Sequence, residues 1–346
     1  MTTAPPVVEA QQVLARCRTL TEPALREAVA SLHPWPHRMA SFSLGWCEAD
    51  GTPATGGGGK GMRQALAVLG AEAVAAPREH AVTAAVAVEL VHTFSLLHDD
   101  IMDGDERRRH RASAWKEYGT GPAVLAGDAL FALAVERLAG SGSPHTAQAL
   151  GLLAGAMRAL VHGQAEDLLF EARPWTGPAA VTAAEYEAMA AAKTGALLAC
   201  ALTLGPALAG APAAVTDALA AAGRDLGTAF QAVDDVLGIW GDPAHTGKPV
   251  HGDLRRGKKT LPVVAALAAG CEAGRRLGAL LGTPLDADAA RRAAHLVEEA
   301  GGRAAALALA RERAAAARQR LSAAPLAPGA RLELLALADH LVERHV

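Results

Sequence analysis

Residues 88–115 read VELVHTFSLLHDDIMDGDERRRHRASAW, an apolar run that ends in acidic and then basic side chains. At about 100° per helical residue, Asp100 lies about a quarter-turn from a helix face that carries His92, Asp99 and Asp103. The apolar run extends upstream with sparse polar residues at helical spacing. The pattern predicts a long apolar helix over residues 79–101, with carboxylates at its C-terminal end.

The same helical spacing recurs in alanine-rich segments along the rest of the chain. Gly- and Pro-rich loop signals separate these segments, which cover residues 121–140, 145–171, 181–205 and 213–240. Alanine loses no side-chain entropy in a helix, aromatic residues make up only 3% of the chain, and β-branched runs are scarce. We therefore expect an all-α protein, a single large helical bundle over residues 1–346, with residues 1–35 as a flexible N-terminal segment.

The composition and one loop argue against several classes of function. The chain carries 33 Lys and Arg against 36 Asp and Glu, a formal charge of −3, whereas nucleic-acid-binding domains usually carry a basic excess. With 51% hydrophobic residues and a mean hydropathy of +0.16, the chain has ample material for a buried core. The glycine-rich stretch ATGGGGKGMRQAL at residues 54–66 does not fit a P-loop, because Gly61 rather than Ser or Thr follows Lys60.

The cysteines and the N-terminus indicate the compartment. Four cysteines are widely separated and form no C-x-x-C pair, so neither a zinc site nor a disulfide framework is indicated. The N-terminus lacks the basic region and uninterrupted apolar run of a secretory signal. The uncharged stretch 194–216 is long enough to span a bilayer, but it is alanine-rich and broken by Gly and Pro. We expect a cytoplasmic protein in which this stretch is a buried core helix and not a membrane span.

The acidic cluster at residues 99–103 is poorly explained by stability, because crowded carboxylates repel one another unless cations neutralise them. Such hard oxygen ligands suit magnesium, which takes one or two protein carboxylates and completes its octahedron with water and substrate phosphates. Basic side chains that match phosphate oxygens follow at once: Arg107, Arg108, Arg109 and Arg111. The combination predicts a metal-bridged phosphate site, and the alternative is a solvated helix end with i,i+4 ion pairs.

A second acidic pair, Asp234 and Asp235, closes another apolar run in residues 230–262, FQAVDDVLGIWGDPAHTGKPVHGDLRRGKKTLP. A loop rich in Gly and Pro follows and carries further charges at Asp242, Lys248, Asp253, Lys258 and Lys259. Two acidic helix ends of a bundle, each followed by basic residues, can hold one polyphosphate through several metal ions. The repetition makes a solvated helix end a poor explanation for either cluster.

Together these motifs resemble the trans-isoprenyl diphosphate synthases, or polyprenyl synthetases. The resemblance covers about residues 56–262, in the family's order, through GKGMR, ELVHTFSLLHDDIMD, RRRHR, LAGDALF, GQAEDL, KTG, FQAVDD, GKPVHGDL and GKKTLP. It implies an all-helical bundle around a central apolar cavity and a homodimer. It also implies an enzyme that joins isopentenyl diphosphate to an allylic diphosphate with magnesium.

The resemblance assigns roles to single residues. Up to three magnesium ions would be bound by Asp99, Asp103 and Asp234, with support from Asp100, Asp235 and Asp253. The allylic diphosphate would be held by Arg108, Lys193, Lys248 and Lys258. The isopentenyl diphosphate would be held by Lys60, Arg63, His92 and Arg109. Positive charge on the reacting carbons would be stabilised by Thr194 and Gln231.

Some of these residues have ordinary alternatives, and some neighbours depart from the family's pattern. His92 could be a hydrogen-bonded core histidine, and Lys193 could extend its amine to solvent. Gly238 stands where the second acidic motif of the family often has a further Asp. Because the first Asp of that motif makes the direct metal contact in the family, we expect activity to survive with weaker metal affinity. Gln64 replaces a usual Pro, and His110 replaces a usual Gly.

Product length is inferred from the side chains just upstream of the first motif, which form the floor of the elongation cavity in the family. Phe94 lies five residues before Asp99, and Ser95 lies four before it. A single aromatic residue there resembles synthases that stop at geranylgeranyl diphosphate. Helical spacing, however, places Phe94 off the Asp99 face and Ser95 nearer to it. The expected order of products is geranylgeranyl, then farnesyl, then longer diphosphates.

Two further functions stay open. A class I terpene cyclase would use the same ionisation chemistry but binds no second diphosphate, so the predicted isopentenyl diphosphate residues argue against it. A non-catalytic subunit of a heteromeric prenyl synthase would not need the complete first acidic motif that this chain keeps.

Overall fold

The computed structural model describes residues 9–54, 61–108, 110–243 and 250–343. The described residues are mainly helical, which confirms the all-α prediction. The helices are α1 (Ala10–Ala30), α2 (Pro34–Ser43), α3 (Met62–Ala73), α4 (Arg78–Met102), α5 (Ala114–Tyr118), α6 (Thr120–Ala139), α7 (Thr146–Ala172), α8 (Ala183–Ala190), α9 (Ala196–Leu208), α10 (Ala213–Trp240), α11 (Gly252–Arg255), α12 (Leu261–Ala268), α13 (Glu272–Leu280), α14 (Ala287–Glu299), α15 (Gly302–Ala323) and α16 (Pro328–Glu343). A π-helical turn over Ala191–Gly195 joins α8 to α9, and an antiparallel hairpin pairs β1 (Arg107–Arg108) with β2 (Arg111–Ala112).

The helix boundaries agree with the sequence patterns to within a few residues. The segments predicted over 79–101, 121–140 and 213–240 correspond to α4, α6 and α10. Thr182 starts α8 with a capping box: its hydroxyl accepts a hydrogen bond from the Glu185 N–H, and the Glu185 carboxylate accepts one from the Thr182 N–H.

The chain divides into two compact units. Unit 1 consists of Met1–Gly155, Leu198–Ala221 and Arg320–His340, and unit 2 consists of Ala156–Leu197, Ala222–Gln319 and Leu341–Val346. Within unit 1, α4 packs against both α3 and α6. The first acidic motif is therefore built in unit 1 and the second in unit 2.

Most of residues 1–35, the segment predicted to be flexible, is helical in the structure. Residues 10–30 form α1, whose buried side chains include Val13, Cys17 and Leu25 at helical spacing. Arg16 of α1 donates hydrogen bonds to Glu72 and Glu333, which also belong to unit 1. These contacts come from distant parts of the sequence, which is why the local composition did not indicate them. Residues 1–8 lie outside the described residues.

The core of unit 2 consists of buried apolar clusters. One contains Phe170, Tyr186, Val233, Val236 and Leu261, and another contains Ile239, Leu254, Val263, Leu277 and Val297. The first cluster draws residues from α7, α8, α10, α12 and α15, so it brings the C-terminal part of α10 next to α8 and the start of α12. Tyr186 and Leu261 of this cluster donate hydrogen bonds to Asp235 of the second acidic motif.

Two helical stretches among the described residues, Arg78–Met102 and Ala183–Leu208, are long and apolar enough to cross a membrane. The most apolar window of each is mainly buried inside the protein, 61% in the first and 72% in the second. Core helices pass the same test of length and composition, so the test is weak evidence for a span. The burial agrees with the core helix predicted for the uncharged stretch that begins at Thr194.

Candidate active site

The first acidic motif lies at the C-terminal end of α4. Asp99 is half-buried, Asp100 is buried at 4% exposure, and the Asp103 N–H donates to the Asp99 carbonyl oxygen at 2.8 Å to close the helix. Asp99 and Asp103 are about one helical turn apart, so their side chains share a face. This face matches the one predicted from the sequence.

Asp100 interacts with a cation of the protein itself. Nε and Nη2 of Arg108 donate three hydrogen bonds to the two Asp100 oxygens, at distances of 2.6–3.0 Å. Burial lowers the pKa of Arg108, but the hydrogen bonds and the charge of Asp100 outweigh it, so the pKa is raised overall. Arg108 is therefore charged and held in one orientation, as a diphosphate ligand needs to be.

The hairpin places Arg108 beside the end of α4. β1 and β2 pair Arg108 with Arg111, and His110 between them has a φ of 67°. This is the left-handed region that glycine adopts without strain. The geometry explains why Gly is usual here in the family, and it shows that His110 accepts the same backbone conformation.

Arg111 has a structural role, although the sequence groups it with the phosphate-binding arginines. It donates hydrogen bonds to the carbonyl oxygens of Phe42 at 3.2 Å and Cys47 at 2.6 Å. Arg111 therefore anchors the segment after α2. Arg109, predicted to bind isopentenyl diphosphate, lies outside the described residues.

Two of the residues predicted to bind isopentenyl diphosphate meet within unit 1. Nη1 of Arg63, at the start of α3, donates to Nε2 of His92 on α4 at 3.2 Å. An arginine only donates hydrogen bonds, so Nε2 of His92 is the acceptor in this contact. Lys60, the third residue of this set, lies outside the described residues.

In unit 2, Lys193 and Thr194 lie in the π-helical turn between α8 and α9. Glycines allow two helices to approach this turn closely. A Cβ on Gly163 of α7 would lie 2.7 Å from the Lys193 Cα, and a Cβ on Gly227 of α10 would lie 2.6 Å from the Gly195 N. Single π-helical turns are frequent at functional sites, and here the close backbone packing fixes the turn.

Two lysines predicted to hold the allylic diphosphate converge on Asp167, within unit 2. Nζ of Lys193 donates to the Asp167 Oδ2 at 2.6 Å, and Nζ of Lys258 lies 4.0 Å from the same oxygen. Lys258 also donates to Glu171 at 2.5 Å. Asp167 belongs to the GQAEDL motif, which is the signal in the sequence that could have indicated a role for it. Lys248 lies outside the described residues.

Asp235 is the centre of a hydrogen-bond network in unit 2. It is 5% exposed, and its Oδ2 accepts from the Tyr186 hydroxyl at 2.5 Å and from the Leu261 N–H at 2.8 Å. Its Oδ1 accepts from Nε2 of Gln231 at 3.0 Å, and Oε1 of Gln231 accepts from the Thr194 hydroxyl at 2.7 Å. Burial raises the pKa of Asp235 to about 7, although these hydrogen bonds oppose the rise.

Asp234 is exposed on α10, next to the buried Asp235. One turn further, a Cβ on Gly238 would lie 2.5 Å from the Cγ of Asp253. The carboxyl group of Asp253 therefore occupies space beside Gly238, where the family often has an Asp side chain. Nη2 of Arg256 donates to Asp253 at 2.8 Å and orients it.

The carboxylates fit magnesium in chemistry. Among the described residues, no three His, Cys, Asp or Glu side chains form a ready-made metal-binding group. Magnesium needs only one or two protein carboxylates when water and phosphate supply its remaining ligands. The same-face pair Asp99 and Asp103 of unit 1, and the exposed Asp234 of unit 2, are donors of this kind.

The side chains predicted to set product length lie on α4. The Phe94 ring packs against Phe131 of α6, with 5.6 Å between ring centroids, and against His98, with 4.6 Å between centroids. Ser95 is buried, and its hydroxyl donates to the His92 carbonyl oxygen. Phe94 therefore faces α6, and the small Ser95 is the one nearer to the Asp99 face, as helical spacing predicts.

Comparison with known proteins identifies the family. The polyprenyl synthetase model matches residues 46–299 of this chain. The chain belongs to the polyprenyl synthetase family. Its relatives include a (2E,6E)-farnesyl diphosphate synthase of Mycobacterium tuberculosis, 48% identical over 269 residues, which cover 78% of this chain and 74% of that protein.

Other polyprenyl synthetases match over nearly the whole chain. A geranylgeranyl diphosphate synthase of Mycobacterium tuberculosis is 43% identical over 335 residues, 96% of this chain and 93% of that protein. The crystal structure of a polyprenyl synthetase from Streptomyces coelicolor A3(2) matches with a TM-score of 0.90 and 48% identity, over 96% of this chain and 99% of that chain. The resemblance is thereby confirmed, and the protein is a trans-prenyltransferase. The relatives differ in their named products, so membership of the family does not fix the product length.

Proposed function

We propose that this polyprenyl synthetase condenses isopentenyl diphosphate with an allylic diphosphate and stops at geranylgeranyl diphosphate. The observation that carries the proposal is the contrast between two neighbours on α4. Ser95, near the Asp99 face, is small, whereas the Phe94 ring is turned against Phe131 and His98. A small side chain below the acidic motif leaves more room for a growing chain than an aromatic ring would, and Phe94 limits that room from one side.

Each set of residues has a role in the proposed reaction. Magnesium, when bound at Asp99, Asp103 and Asp234, supplies positive charge that neutralises the departing pyrophosphate. The allylic diphosphate oxygens are bound by Arg108, Lys193, Lys248 and Lys258. The isopentenyl diphosphate is bound by Lys60, Arg63, His92 and Arg109.

The chemistry follows from this charge distribution. The allylic C–O bond breaks, its electron pair leaves with the pyrophosphate, and an allylic cation forms. The oxygens of Thr194 and Gln231 stabilise the positive charge. The double bond of isopentenyl diphosphate forms the new C–C bond, and a proton then passes to the released pyrophosphate. No general base from the protein is required.

Product analysis tests the proposal. The purified chain is incubated with magnesium, isopentenyl diphosphate and, separately, dimethylallyl, geranyl or farnesyl diphosphate, and the alcohols are identified by mass spectrometry after dephosphorylation. We expect linear geranylgeraniol from each primer. The Ser95→Phe variant should shift the product to farnesol, and Phe94→Ala should lengthen it. Geranylgeraniol from both variants would contradict the role given to these two side chains.

The 48% identity to a farnesyl diphosphate synthase favours a second candidate, in which farnesol is the main product. Farnesol alone from the unchanged protein would support this candidate and exclude the first. Cyclic hydrocarbons formed without isopentenyl diphosphate would instead indicate a terpene cyclase. If the isolated protein shows no turnover and a second chain restores it, the protein is a subunit of a heteromeric synthase.

We also propose that residues 1–346 function as one domain in a cytoplasmic homodimer, as the family resemblance implies. Both acidic motifs serve the same reaction in this proposal, so neither unit alone would be active. Light scattering coupled to size-exclusion chromatography measures the mass, and a value of one chain would contradict the homodimer.

A further inference from the structure

The network around Asp235 joins groups that are far apart in the sequence. Tyr186 lies on α8, Asp235 on α10, and Leu261 at the first position of α12. The Leu261 N–H is one of the donors that a helix start leaves without a partner in its own helix, and the Asp235 carboxylate accepts it.

The three donors leave Asp235 poorly suited to a metal ion. Each of its oxygens accepts at least one hydrogen bond from within the protein, and only 5% of the residue is exposed. Its neighbour Asp234 is exposed on the same helix. The two carboxylates of this motif are therefore in opposite environments, although the sequence treats them as a pair.

The hydrogen bond to Asp235 determines which way the Gln231 amide points. A side-chain amide has a donating and an accepting end, and its two orientations have nearly the same shape. Oδ1 of Asp235 is an acceptor in this network, so the NH₂ end of Gln231 faces Asp235 and the carbonyl end faces Thr194. The Thr194 hydroxyl then donates its proton to Gln231, which leaves its own lone pairs for other partners.

We propose that Tyr186 and Asp235 are positioning residues, which fix the polarity of the Gln231 amide and through it the direction of the Thr194 hydroxyl. The inference rests on the proposed function, in which these two oxygens stabilise an allylic cation. A flipped amide would place its NH₂ group and a reversed hydroxyl dipole there, and both would oppose positive charge. In this view Asp234 belongs to the metal site and Asp235 does not.

Two measurements test the inference on the full-length protein. The first is a calorimetric titration that measures how tightly the protein binds magnesium together with inorganic pyrophosphate. We expect Asp234→Asn to weaken it about tenfold or more, as loss of a metal ligand does, whereas Tyr186→Phe should leave it within about twofold. The second is steady-state kinetics, in which Tyr186→Phe should lower kcat about tenfold, the effect of one lost hydrogen bond, with KM values nearly unchanged.

A double-mutant cycle separates positioning from general damage. Because Tyr186 acts through Gln231, the effect of Tyr186→Phe on kcat should shrink to within about twofold in a Gln231→Leu background. Tyr118→Phe is the matched control: Tyr118, the other tyrosine, donates to the Ala49 carbonyl oxygen in unit 1. It should change kcat by less than about twofold.

The outcomes distinguish this inference from the proposed function. If the unchanged protein forms prenyl products but Tyr186→Phe keeps full kcat, or loses the same factor in the Gln231→Leu background, the positioning role is wrong. Equal loss of magnesium–pyrophosphate binding in Tyr186→Phe and Asp234→Asn would also overturn it. If the unchanged protein forms no prenyl product from any primer, the proposed function fails and the inference falls with it.

Discussion

Each unit contains a pair of adjacent aspartates near the end of a long apolar helix, and the two units stabilise the second member of the pair by different means. Asp100 in unit 1 and Asp235 in unit 2 are 4% and 5% exposed. Asp100 is neutralised by the Arg108 guanidinium, whereas Asp235 accepts hydrogen bonds from the uncharged donors Tyr186, Gln231 and the Leu261 N–H. The first members, Asp99 and Asp234, are the more exposed in both units.

The difference shows that the shared Asp-Asp pair does not fix the role of its buried carboxylate. In unit 1 the carboxylate orients a cation that can bind substrate, so the pair contributes charge. In unit 2 the buried carboxylate orients the Gln231 amide and, through it, the Thr194 hydroxyl, so this network fixes the direction of two dipoles. In the proposed reaction, the more exposed member of each pair binds metal.

The largest expected effect is on turnover. Asp99→Ala and Asp234→Ala should each lower kcat about a thousandfold or more, because each deletes charge complementary to the magnesium that neutralises the leaving group. Circular dichroism and thermal unfolding should stay nearly unchanged, since removal of one charge from a self-repelling cluster rarely destabilises a protein. Global unfolding of either variant would refute the assignment of both residues to the metal site.

The next effect is on stability and should differ between the two buried carboxylates, Asp100 and Asp235. Arg108→Met should lower the free energy of unfolding by about 3–5 kcal/mol, because Asp100 is left buried without its cation. Tyr186→Phe should cost only about 1–3 kcal/mol, since it removes one of several donors to Asp235. Urea denaturation measures both values.

The double variant Arg108→Met with Asp100→Leu is the control for this difference. It removes the charge as well as its partner, so much of the lost stability should return. Equal losses in Arg108→Met and Tyr186→Phe would mean that the two carboxylates are stabilised alike, contrary to the contacts described above.

A smaller effect concerns the backbone around the π-helical turn of unit 2. A Cβ on Gly163 would lie 2.7 Å from the Lys193 Cα, whereas a Cβ on Gly155 of the same helix has no neighbour within 4 Å. Gly163→Ala should therefore destabilise the protein by about 1–3 kcal/mol through overpacking and lower kcat by displacing Lys193 and Thr194. Gly155→Ala, the matched control, should stabilise it by about 0.4–1 kcal/mol. Equal behaviour of the two variants would show that the turn is not held by this contact.

The sequence predicted the helices and the exposed aspartates because both depend on local patterns. Alanine-rich segments have helical spacing, and the DD pairs end apolar runs. The buried partners could not be predicted in this way. Tyr186 is 49 positions from Asp235 and lies in an ordinary helical segment, so only the packed structure joins them. The same reason explains why the contacts of α1 were not predicted: its Arg16 donates hydrogen bonds to Glu72 and Glu333, which are distant in the sequence.

The smallest expected effect comes from a feature that the two units share. After each acidic motif, a histidine adopts the left-handed conformation: His110 with a φ of 67° and His251 with a φ of 59°. This conformation costs a non-glycine residue about 1–2 kcal/mol, and glycine loses about 0.5–1 kcal/mol through its greater freedom in the unfolded chain. His110→Gly and His251→Gly should therefore each stabilise their unit slightly.

Thermal unfolding at a pH above 8, where an ordinary histidine is neutral, isolates this backbone effect from changes of charge. The matched control is His295→Gly, because His295 is an exposed histidine within α14. Glycine is a poorer helix former there, so this variant should lose a few tenths of a kcal/mol. A loss of stability in His110→Gly but not in His251→Gly would show that the His110 side chain itself supports the hairpin that carries Arg108. The two units would then differ at this position as well as in the partner of the buried carboxylate.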